Sequence, residues 1–227
     1  MNKFREVVGG ILCFPFLLAT LILADLSWLF YVLHLKKLGD LWLHFWDQGL
    51  IWVLRFFFGM HFVVKGRENL PSTDQKICYI ANHQSMLDIP AIVSLRRYPG
   101  IIGKVELKKV PLLNILMYLM KCVYIDRGSM KESMKAIIKG TEQLKAGQPM
   151  MIFPEGTRSK TYEIAEFKAG SFRMAKKADA VICPICIQNT TLVSIHKSVV
   201  GNQGISEMCC FLLLGWVKIL SSEGRKR

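Results

Sequence analysis

The sequence is poor in acidic residues: 17 Asp and Glu stand against 30 Lys and Arg, which gives a formal net charge of +13 over 227 residues. Most of the excess lies late in the chain, because residues 1–70 hold seven basic and five acidic side chains and residues 71–227 hold 23 and 12. Such a surface favours anionic partners: nucleic acid, anionic lipid headgroups or phosphorylated substrates. With 52% hydrophobic residues and a mean hydropathy of +0.30, membrane lipid is favoured over nucleic acid, and no nucleic-acid partner is expected.

Three common catalytic and nucleotide-binding signatures are also absent from the sequence: the G-x-S-x-G elbow, the P-loop and G-x-G-x-x-G. The usual arrangement for an enzyme-borne nucleophile is therefore missing. A side chain of this protein that acts as a base would take its proton from a substrate hydroxyl. No internal repeat, low-complexity linker or second soluble domain is evident, and the length suits one sizeable domain.

The cysteines do not form a pairing pattern. Their number, seven, is odd and most lie inside apolar runs, which is typical of reduced, buried thiols in a cytoplasm-like compartment. Cys183-Pro-Ile-Cys186 resembles a redox pair or half of a zinc site. Its surroundings, AVICPICI, read as a buried strand in which residues three apart point to opposite faces, and no second ligand pair has zinc spacing. We therefore predict a structural role for both cysteines.

Residues 1–61 are predicted to form a membrane-associating two-helix segment. Two apolar stretches, residues 7–33 and 41–62, are long enough for membrane helices, although Asp25 places a charge in the first. No small-x-small cleavage site follows the first stretch, so a cleaved signal peptide is not expected. Four of the five tryptophans lie in this region, as expected where rings sit at headgroup level: Trp28, Trp42, Trp46 and Trp52.

Two membrane topologies fit this segment. If both helices spanned the membrane, two groups of basic residues would lie on opposite sides of it, which the positive-inside tendency disfavours. The first set is His34, Lys36 and Lys37, and the second is Lys3, Arg5, Lys65 and Arg67. A helical pair lodged in one leaflet avoids this conflict, and an ordinary two-span anchor remains the alternative.

Residues 62–227 are predicted to form an α/β domain with a largely parallel central sheet flanked by helices. Short apolar runs such as KICYI, CVYI and MMIF alternate there with longer helical patterns. The clearest helix starts with a capping box, Ser129-x-x-Glu132, and is terminated by Gly147. Its predicted buried face consists of Met134, Ile137, Ile138, Thr141 and Leu144.

The stretch ANHQSMLD, residues 81–88, places a histidine and an aspartate five apart between two apolar runs. Within one regular helix, residues five apart would point about 140° away from each other. The pair can interact only if His83 lies in a loop and Asp88 in the first helical turn, where the carboxylate can orient the imidazole. The alternative is that Ser85 caps the helix, Asp88 completes a capping box and His83 is an ordinary loop residue.

The stretch FPEGTRS, residues 153–159, follows the apolar run MMIF. A strand with this ending places a flexible turn, exposed N–H groups, two hydroxyls and a guanidinium at the edge of the sheet. Such a set suits an anionic oxygen cluster, since arginine binds phosphate through two parallel hydrogen bonds. The alternative is a polar turn with Arg158 in solvent.

Together these stretches resemble the glycerolipid acyltransferases. NHQSMLD matches the N-H-x-x-x-x-D box, YIDRG the second box, FPEGTRS the third and AVICPICI the proline-bearing fourth, in family order, over roughly residues 60–200. GKVELKKVPLLNIL and FKAGSF also look like family segments. The form FPEGTRS is most similar to the 1-acyl-sn-glycerol-3-phosphate acyltransferases. Met120-Lys121 departs from the glycine pair often found before the second box, and the tail, residues 205–227, matches only weakly.

The resemblance implies a role for each matched residue. His83 would be the general base and Asp88 its orienting partner. The phosphate of the acceptor would be bound by Lys104 and by the third-box residues Glu155, Gly156, Thr157 and Arg158. Second- and fourth-box residues with a structural or substrate role would be Asp126, Arg127 and Pro184.

The implied reaction is direct transfer of an acyl group from acyl-CoA or acyl carrier protein to the free hydroxyl of lysophosphatidic acid. It needs no metal and no cofactor beyond the donor, and it implies a membrane location with the active site facing the cytoplasm, at an inner or cell membrane or one of the endoplasmic-reticulum type. Three alternatives remain: a related glycerol-3-phosphate or lysophospholipid acyltransferase, a non-catalytic basic membrane-binding protein, and a thiol or zinc protein resting on Cys183 and Cys186.

Overall fold

The computed structural model describes the greater part of the chain. The described residues are 11, 15, 18, 19, 22, 23, 26–58, 60–95, 97–111, 113–126, 128–159, 163–188, 190 and 208–214. The helices are α1 (Ser27–Val32), α2 (Lys36–Phe58), α3 (Asp88–Val93), α4 (Leu113–Leu119), α5 (Met130–Lys145) and α6 (Gly170–Ala178). The strands are β1 (Met60–Lys65), β2 (Ile77–Ala81), β3 (Gly100–Lys104), β4 (Val123–Ile125), β5 (Met150–Ile152), β6 (Val181–Gln188) and β7 (Met208–Leu214).

Within the described residues, seven strands form one sheet in the order β1-β7-β6-β2-β5-β3-β4. All neighbouring pairs are parallel except β6 and β7, which are antiparallel. The predicted α/β fold with a largely parallel, helix-flanked sheet is confirmed. In such a sheet the carboxyl ends of neighbouring parallel strands meet at one edge, so the loops after β2, β5 and β3 lie side by side.

The sheet carries a hydrophobic core on both faces. Every residue of β2 is buried, which is why KICYI shows no alternation of apolar and polar residues. One face packs against α3 through Ala91 and Ile92. The other face packs against α5 and α6. The interior strands are therefore rigid supports for the loops that follow them.

The prediction for the buried face of α5 is wrong in part. The helix begins as predicted, because the Ser129 hydroxyl accepts a hydrogen bond from the Glu132 amide at 3.2 Å. Met134 and Ile138 are exposed, however, and the fully buried positions are Ala136, Gly140, Thr141 and Leu144. The reason is the close approach of α6: a Cβ on Gly140 would lie 2.6 Å from Met174 Sδ. Small side chains, rather than large apolar ones, form this contact.

The predicted second helix, residues 41–62, has different bounds. Helix α2 is Lys36–Phe58, and Met60–Lys65 forms β1 because its backbone pairs with β7. The tail, which the sequence included in the α/β domain without predicting its elements, supplies β7 between β1 and β6. About half of the first apolar stretch, residues 7–33, lies outside the described residues. In the part of the chain that the structure describes, no helix combines the length and hydrophobicity that a membrane crossing requires.

Helix α2 is attached to the α/β domain by apolar and polar contacts. Val53 is fully buried, and His44 Nδ1 lies 2.9 Å from the Tyr98 hydroxyl. The same hydroxyl bonds to the Asp47 carboxylate, whose pKa is raised to about 7 mainly because the group is buried. Asp47 Oδ2 has no hydrogen-bond partner among the described residues. The contact between α2 and the domain therefore buries a carboxyl group with one unsatisfied oxygen, which lowers the stability of the folded state.

The two cysteines of the Cys-x-x-Cys motif lie on one strand. Cys183 and Cys186 lie on β6 as free thiols, Cys183 in the core and Cys186 partly exposed. Burial raises the pKa of Cys183 to about 11 and that of Cys78, in β2, to about 12. These thiols are therefore poor nucleophiles at neutral pH.

Candidate active site

The loop after β2 is joined to the strand beside it by an amide pair. Asn82 is buried, its Nδ2 donates to the Ile187 carbonyl at 2.8 Å and its Oδ1 accepts from the Ile187 N–H at 2.7 Å. The side chain therefore binds β6 as another strand would. This pair fixes the point at which His83 leaves the sheet.

His83 and Asp88 are in direct contact. His83 lies in the loop, Asp88 is the first residue of α3, and His83 Nδ1 is 2.7 Å from Asp88 Oδ2. The imidazole is 12% exposed and the carboxylate 0%. Asp88 Oδ2 also accepts from the amides of Gln84 at 2.7 Å and Ser85 at 3.0 Å. The carboxylate thus holds the imidazole and also binds two amides of the loop that leads into the helix. The alternative interpretation, with Ser85 as the cap, is wrong, because the N-cap is Leu87 and it makes no side-chain capping bond.

The third box surrounds His83. The His83 amide donates to Glu155 Oε1 at 2.6 Å, and its carbonyl accepts from the Ser159 amide at 2.9 Å. The imidazole stacks on Phe153, with ring centroids 4.1 Å apart and planes 19° from parallel. Residues of FPEGTRS therefore hold the backbone and one ring face of His83. Nδ1 is bound to Asp88, so Nε2 is the ring nitrogen that points away from the carboxylate.

Glu155 occupies a supporting position. The side chain is 4% exposed, and its second oxygen, Oε2, accepts from the Ala165 amide at 3.0 Å. With Oε1 on the His83 amide, both oxygens bind the backbone of two different loops. In the structure the Glu155 carboxylate links the two loops, whereas the sequence resemblance had grouped it with the phosphate ligands.

Gly156 lies beside a cation that the sequence analysis did not single out. Its φ of 75° is in the left-handed region that glycine adopts without steric cost. A Cβ at this position would lie 2.9 Å from Lys168 Nζ. The signal for Lys168 was present in the sequence, since it belongs to FKAGSF, but only the fold brings its ammonium group to the third box.

Thr157 and Arg158 point away from the core. Both are exposed, and the Thr157 hydroxyl donates to the Arg158 carbonyl at 3.0 Å. Among the described residues, the Arg158 guanidinium forms no hydrogen bond or ion pair. It is therefore available to bind an anion at the same edge as His83.

Lys104 ends β3, which is the neighbour of β5 in the sheet. Its ammonium lies 2.7 Å from Glu106 Oε1, and both side chains are about half exposed at 53%. An exposed pair of this kind is weak and exchanges readily with other partners. Lys104 thus lies one strand away from the third box, at the same edge of the sheet.

Of the remaining predicted residues, Asp126 and Pro184 lie on opposite sides of β2 in the sheet. Asp126 follows the edge strand β4, and its Oδ1 accepts from the Gly128 amide at 2.9 Å, so it shapes the turn that leads to α5. Pro184 lies in β6 opposite Ile80 of β2. Arg127 lies outside the described residues. Within the described part of the chain, no group of three or more His, Cys, Asp or Glu side chains is arranged to hold a metal ion.

One further residue, Thr190, contacts the dyad. Its hydroxyl donates to Asp88 Oδ1 at 2.6 Å, and the side chain is 0% exposed. The sequence analysis missed both Thr190 and Asn82. A signal existed for Thr190, because it comes directly after the fourth-box strand β6, whose carboxyl end meets that of β2 in the parallel pair.

Comparisons with known proteins identify a family for this chain. A family model described as Acyltransferase matches residues 61–188. A 1-acyl-sn-glycerol-3-phosphate acyltransferase of Chlamydomonas reinhardtii is 32% identical over 63% of this chain and 48% of its own length. The chloroplastic 1-acyl-sn-glycerol-3-phosphate acyltransferase LPAT1 of Arabidopsis thaliana is 35% identical over 56% of this chain and 36% of its own. The chain therefore spans less than half the length of these two curated relatives.

A solved structure extends the similarity to the whole fold. The crystal structure of the 1-acyl-sn-glycerophosphate acyltransferase PlsC from Thermotoga maritima matches with a TM-score of 0.74 and 27% identity, over 98% of this chain and 90% of that one. The family model alone matches more than half of the present chain. The protein therefore belongs to the Acyltransferase family.

Proposed function

We propose that this protein transfers an acyl group from an acyl thioester to the free hydroxyl of 1-acyl-sn-glycerol 3-phosphate, forming phosphatidic acid. The observation that carries the proposal is the His83–Asp88 contact of 2.7 Å at the carboxyl edge of the sheet, beside Arg158, which is exposed and has no partner among the described residues. The names of the curated relatives and of the Thermotoga maritima neighbour support this choice of substrate.

In this mechanism His83 is the general base. Asp88 accepts a hydrogen bond from His83 Nδ1–H, so Nε2 keeps its lone pair and takes the proton of the acceptor hydroxyl. The hydroxyl oxygen attacks the thioester carbonyl, a C–O bond forms and the C–S bond breaks. The imidazolium then returns its proton to the departing thiolate, which leaves as the free thiol of coenzyme A or acyl carrier protein. No acyl-enzyme intermediate and no metal takes part.

Cations at the same edge would bind the acceptor phosphate. Arg158 supplies two parallel donors, and Lys104 and Lys168 supply single ammonium groups. The Lys104–Glu106 pair is half exposed, so a phosphate can replace the glutamate at little cost. Glu155 supports this site indirectly by holding the His83 backbone, and Gly156 keeps the third-box turn open beside Lys168.

The two-helix segment would hold the protein at a membrane surface with the active site on the cytoplasmic side. Large apolar side chains are exposed along α1 and α2: Leu29, Val32, Leu33, Leu38, Leu41, Phe45, Trp52 and Phe56. The opposite face of α2 is buried against the α/β domain, as Val53 shows. An exposed apolar surface of this extent beside a basic domain suits insertion into one leaflet of an anionic membrane.

An acceptor panel tests the proposed reaction. Purified, detergent-solubilised protein is incubated with labelled acyl-CoA or acyl carrier protein and with lysophosphatidic acid, glycerol 3-phosphate, lysophosphatidylcholine or lysophosphatidylethanolamine. We expect phosphatidic acid as the dominant product, formed at least about 100-fold more slowly by His83→Ala. Preference for glycerol 3-phosphate or another lysophospholipid would instead identify a related acyltransferase, and near-wild-type turnover by His83→Ala would refute the mechanism.

Thiol labelling tests the one-leaflet arrangement. Single cysteines are introduced at Lys37, at the start of α2, and at Lys131, on the exposed side of α5, in a background without the native cysteines. Both should react with an impermeant thiol reagent from the same membrane face. Labelling of Lys37→Cys only from the face opposite Lys131→Cys would show a spanning hairpin.

A further inference from the structure

The Asp88 carboxylate is bonded at both oxygens, and the two oxygens have different partners. Oδ2 faces His83 Nδ1 and the amides of Gln84 and Ser85, all close in sequence. Among the described residues, the partner of Oδ1 is a side chain 102 residues away, the Thr190 hydroxyl, at 2.6 Å. Both side chains are fully buried, so water does not compete for this contact.

The position of Thr190 is set by tertiary structure. It follows β6, which is parallel to β2 and is joined to the loop before His83 by the Asn82–Ile187 amide pair. The same strand therefore fixes both the start of the His83 loop and the hydroxyl that reaches Asp88. The chain thus supplies a second, distant support for the dyad.

We propose that Thr190 is a positioning residue for acyl transfer, whose hydroxyl holds the Asp88 carboxylate with Oδ2 directed at His83 Nδ1. This inference rests on the function proposed above. A buried carboxylate that lost its Oδ1 donor would keep an unsatisfied acceptor and would rotate to satisfy it. Rotation would draw Oδ2 away from the imidazole, which then loses both its orientation and the stabilisation of its protonated form.

Two substitutions separate the hydroxyl from the shape of the side chain. Thr190→Val keeps the shape and removes the donor, whereas Thr190→Ser keeps the donor and removes a methyl group. We expect Thr190→Val to lower kcat about 10- to 100-fold, the effect of losing one hydrogen bond to a charged group, with the KM of both substrates within about twofold. Thr190→Ser should stay within about threefold of wild type. The reverse order would show that the methyl group and packing matter, and would overturn the inference.

A double substitution tests whether Thr190 acts through Asp88. In the Asp88→Asn background, Thr190→Val should cost less than about twofold further, because the interaction it supports is already lost. A full additional loss would show an independent role for Thr190 and would also overturn the inference.

Parallel variants distinguish this inference from the proposed function. If His83→Ala is inactive and Thr190→Val turns over like wild type, only the role of Thr190 is refuted. If His83→Ala itself retains turnover, the proposed mechanism fails first. If Thr190→Val does not fold, as judged by thermal unfolding in detergent, Thr190→Ala replaces it, and wild-type turnover by Thr190→Ala would refute the positioning role.

Discussion

The carboxyl edge of the sheet and the helical pair α1–α2 arrange their side chains in opposite ways. At the sheet edge polar groups are buried and bonded to one another: within the described part of the chain, Asp88 takes part in four hydrogen bonds, and Glu155 in two. Along the helices, large apolar groups such as Phe45 and Trp52 lie exposed. Bonded buried groups keep one geometry, whereas exposed apolar groups associate with an apolar phase.

The two regions would contribute to the proposed reaction in different ways, one through catalysis and acceptor binding and the other through membrane association. The sheet edge is preorganised, so a change there should alter the rate of the chemical step or the binding of the acceptor phosphate. In the proposed function the helices would offer apolar area for lipid, so a change there should alter partitioning onto membrane vesicles. Substitutions in each region can therefore be read by different measurements.

The largest expected effect is the loss of the base. His83→Ala should lower kcat at least about 100-fold, because general base catalysis contributes about 10²- to 10⁴-fold. Asp88→Asn should lose most of the activity as well, since the amide cannot stabilise the imidazolium. The measurement is turnover in detergent, with vesicle binding as the control that must stay unchanged. Turnover near wild type in both variants would reduce Asp88 to a helix cap.

The second effect is on acceptor binding. Arg158→Ala should raise the apparent KM for lysophosphatidic acid about 10- to 100-fold, because a hydrogen-bonded contact to a charged group is worth about 1.5–3 kcal/mol. The KM for the acyl donor should change little. Lys131→Ala, which removes an exposed cation on α5, is the matched control and should leave both constants unchanged. An equal rise in the two KM values for Arg158→Ala would make the residue structural or donor-facing.

The third effect concerns the contact of helix α2 with lipid. Trp52 and Phe56 are stacked with ring centroids 5.2 Å apart and are 57% and 52% exposed. The double variant Trp52→Ser/Phe56→Ser should weaken partitioning into anionic vesicles about 10-fold or more, since each ring loses apolar area for lipid. Turnover in detergent should be retained.

A matched pair of apolar residues provides the control for that experiment. Met134 and Ile138 are also large, exposed apolar side chains, but they lie on α5 and not on the helical pair. Met134→Ser/Ile138→Ser should leave vesicle partitioning unchanged. Equal losses from the two double variants would show that lipid contact is not confined to α1 and α2.

The smallest expected effect concerns the contact between the two regions. The pKa of Asp47 is raised from 3.8 to about 7 by burial, so between those values the folded state binds more protons than the unfolded state. Stability should therefore fall as pH rises from about 4 to about 7 and stay lowered above it. Asp47→Asn should unfold at a higher temperature than wild type at pH 8 and show a flatter profile of melting temperature against pH. His44 and Tyr98 remain in both proteins, so a profile unchanged by the substitution would assign the pH dependence to them.

Much of the candidate site was predictable because its signals are local. The spacing of His83 and Asp88 required a loop residue followed by a residue in the first helical turn, and the structure has that arrangement. The cap at Ser129 depends only on the Glu132 amide three residues later. Predictions failed where a partner came from elsewhere in the chain, as on α5, where contact with Met174 buries Gly140 in place of Met134.

The sequence by itself determined the alternation of strands and helices and the order of the four boxes, and it indicated the pairing of His83 with Asp88, since each depends on residue types within a few positions. Only the tertiary structure decided that Glu155 binds the His83 backbone, that Thr190 reaches Asp88 and that Met208–Leu214 completes the sheet. These contacts join segments separated by tens to more than a hundred residues. They exist because strand pairing and the burial of both sheet faces bring distant carboxyl ends to one edge, where their unpaired polar groups bond to one another.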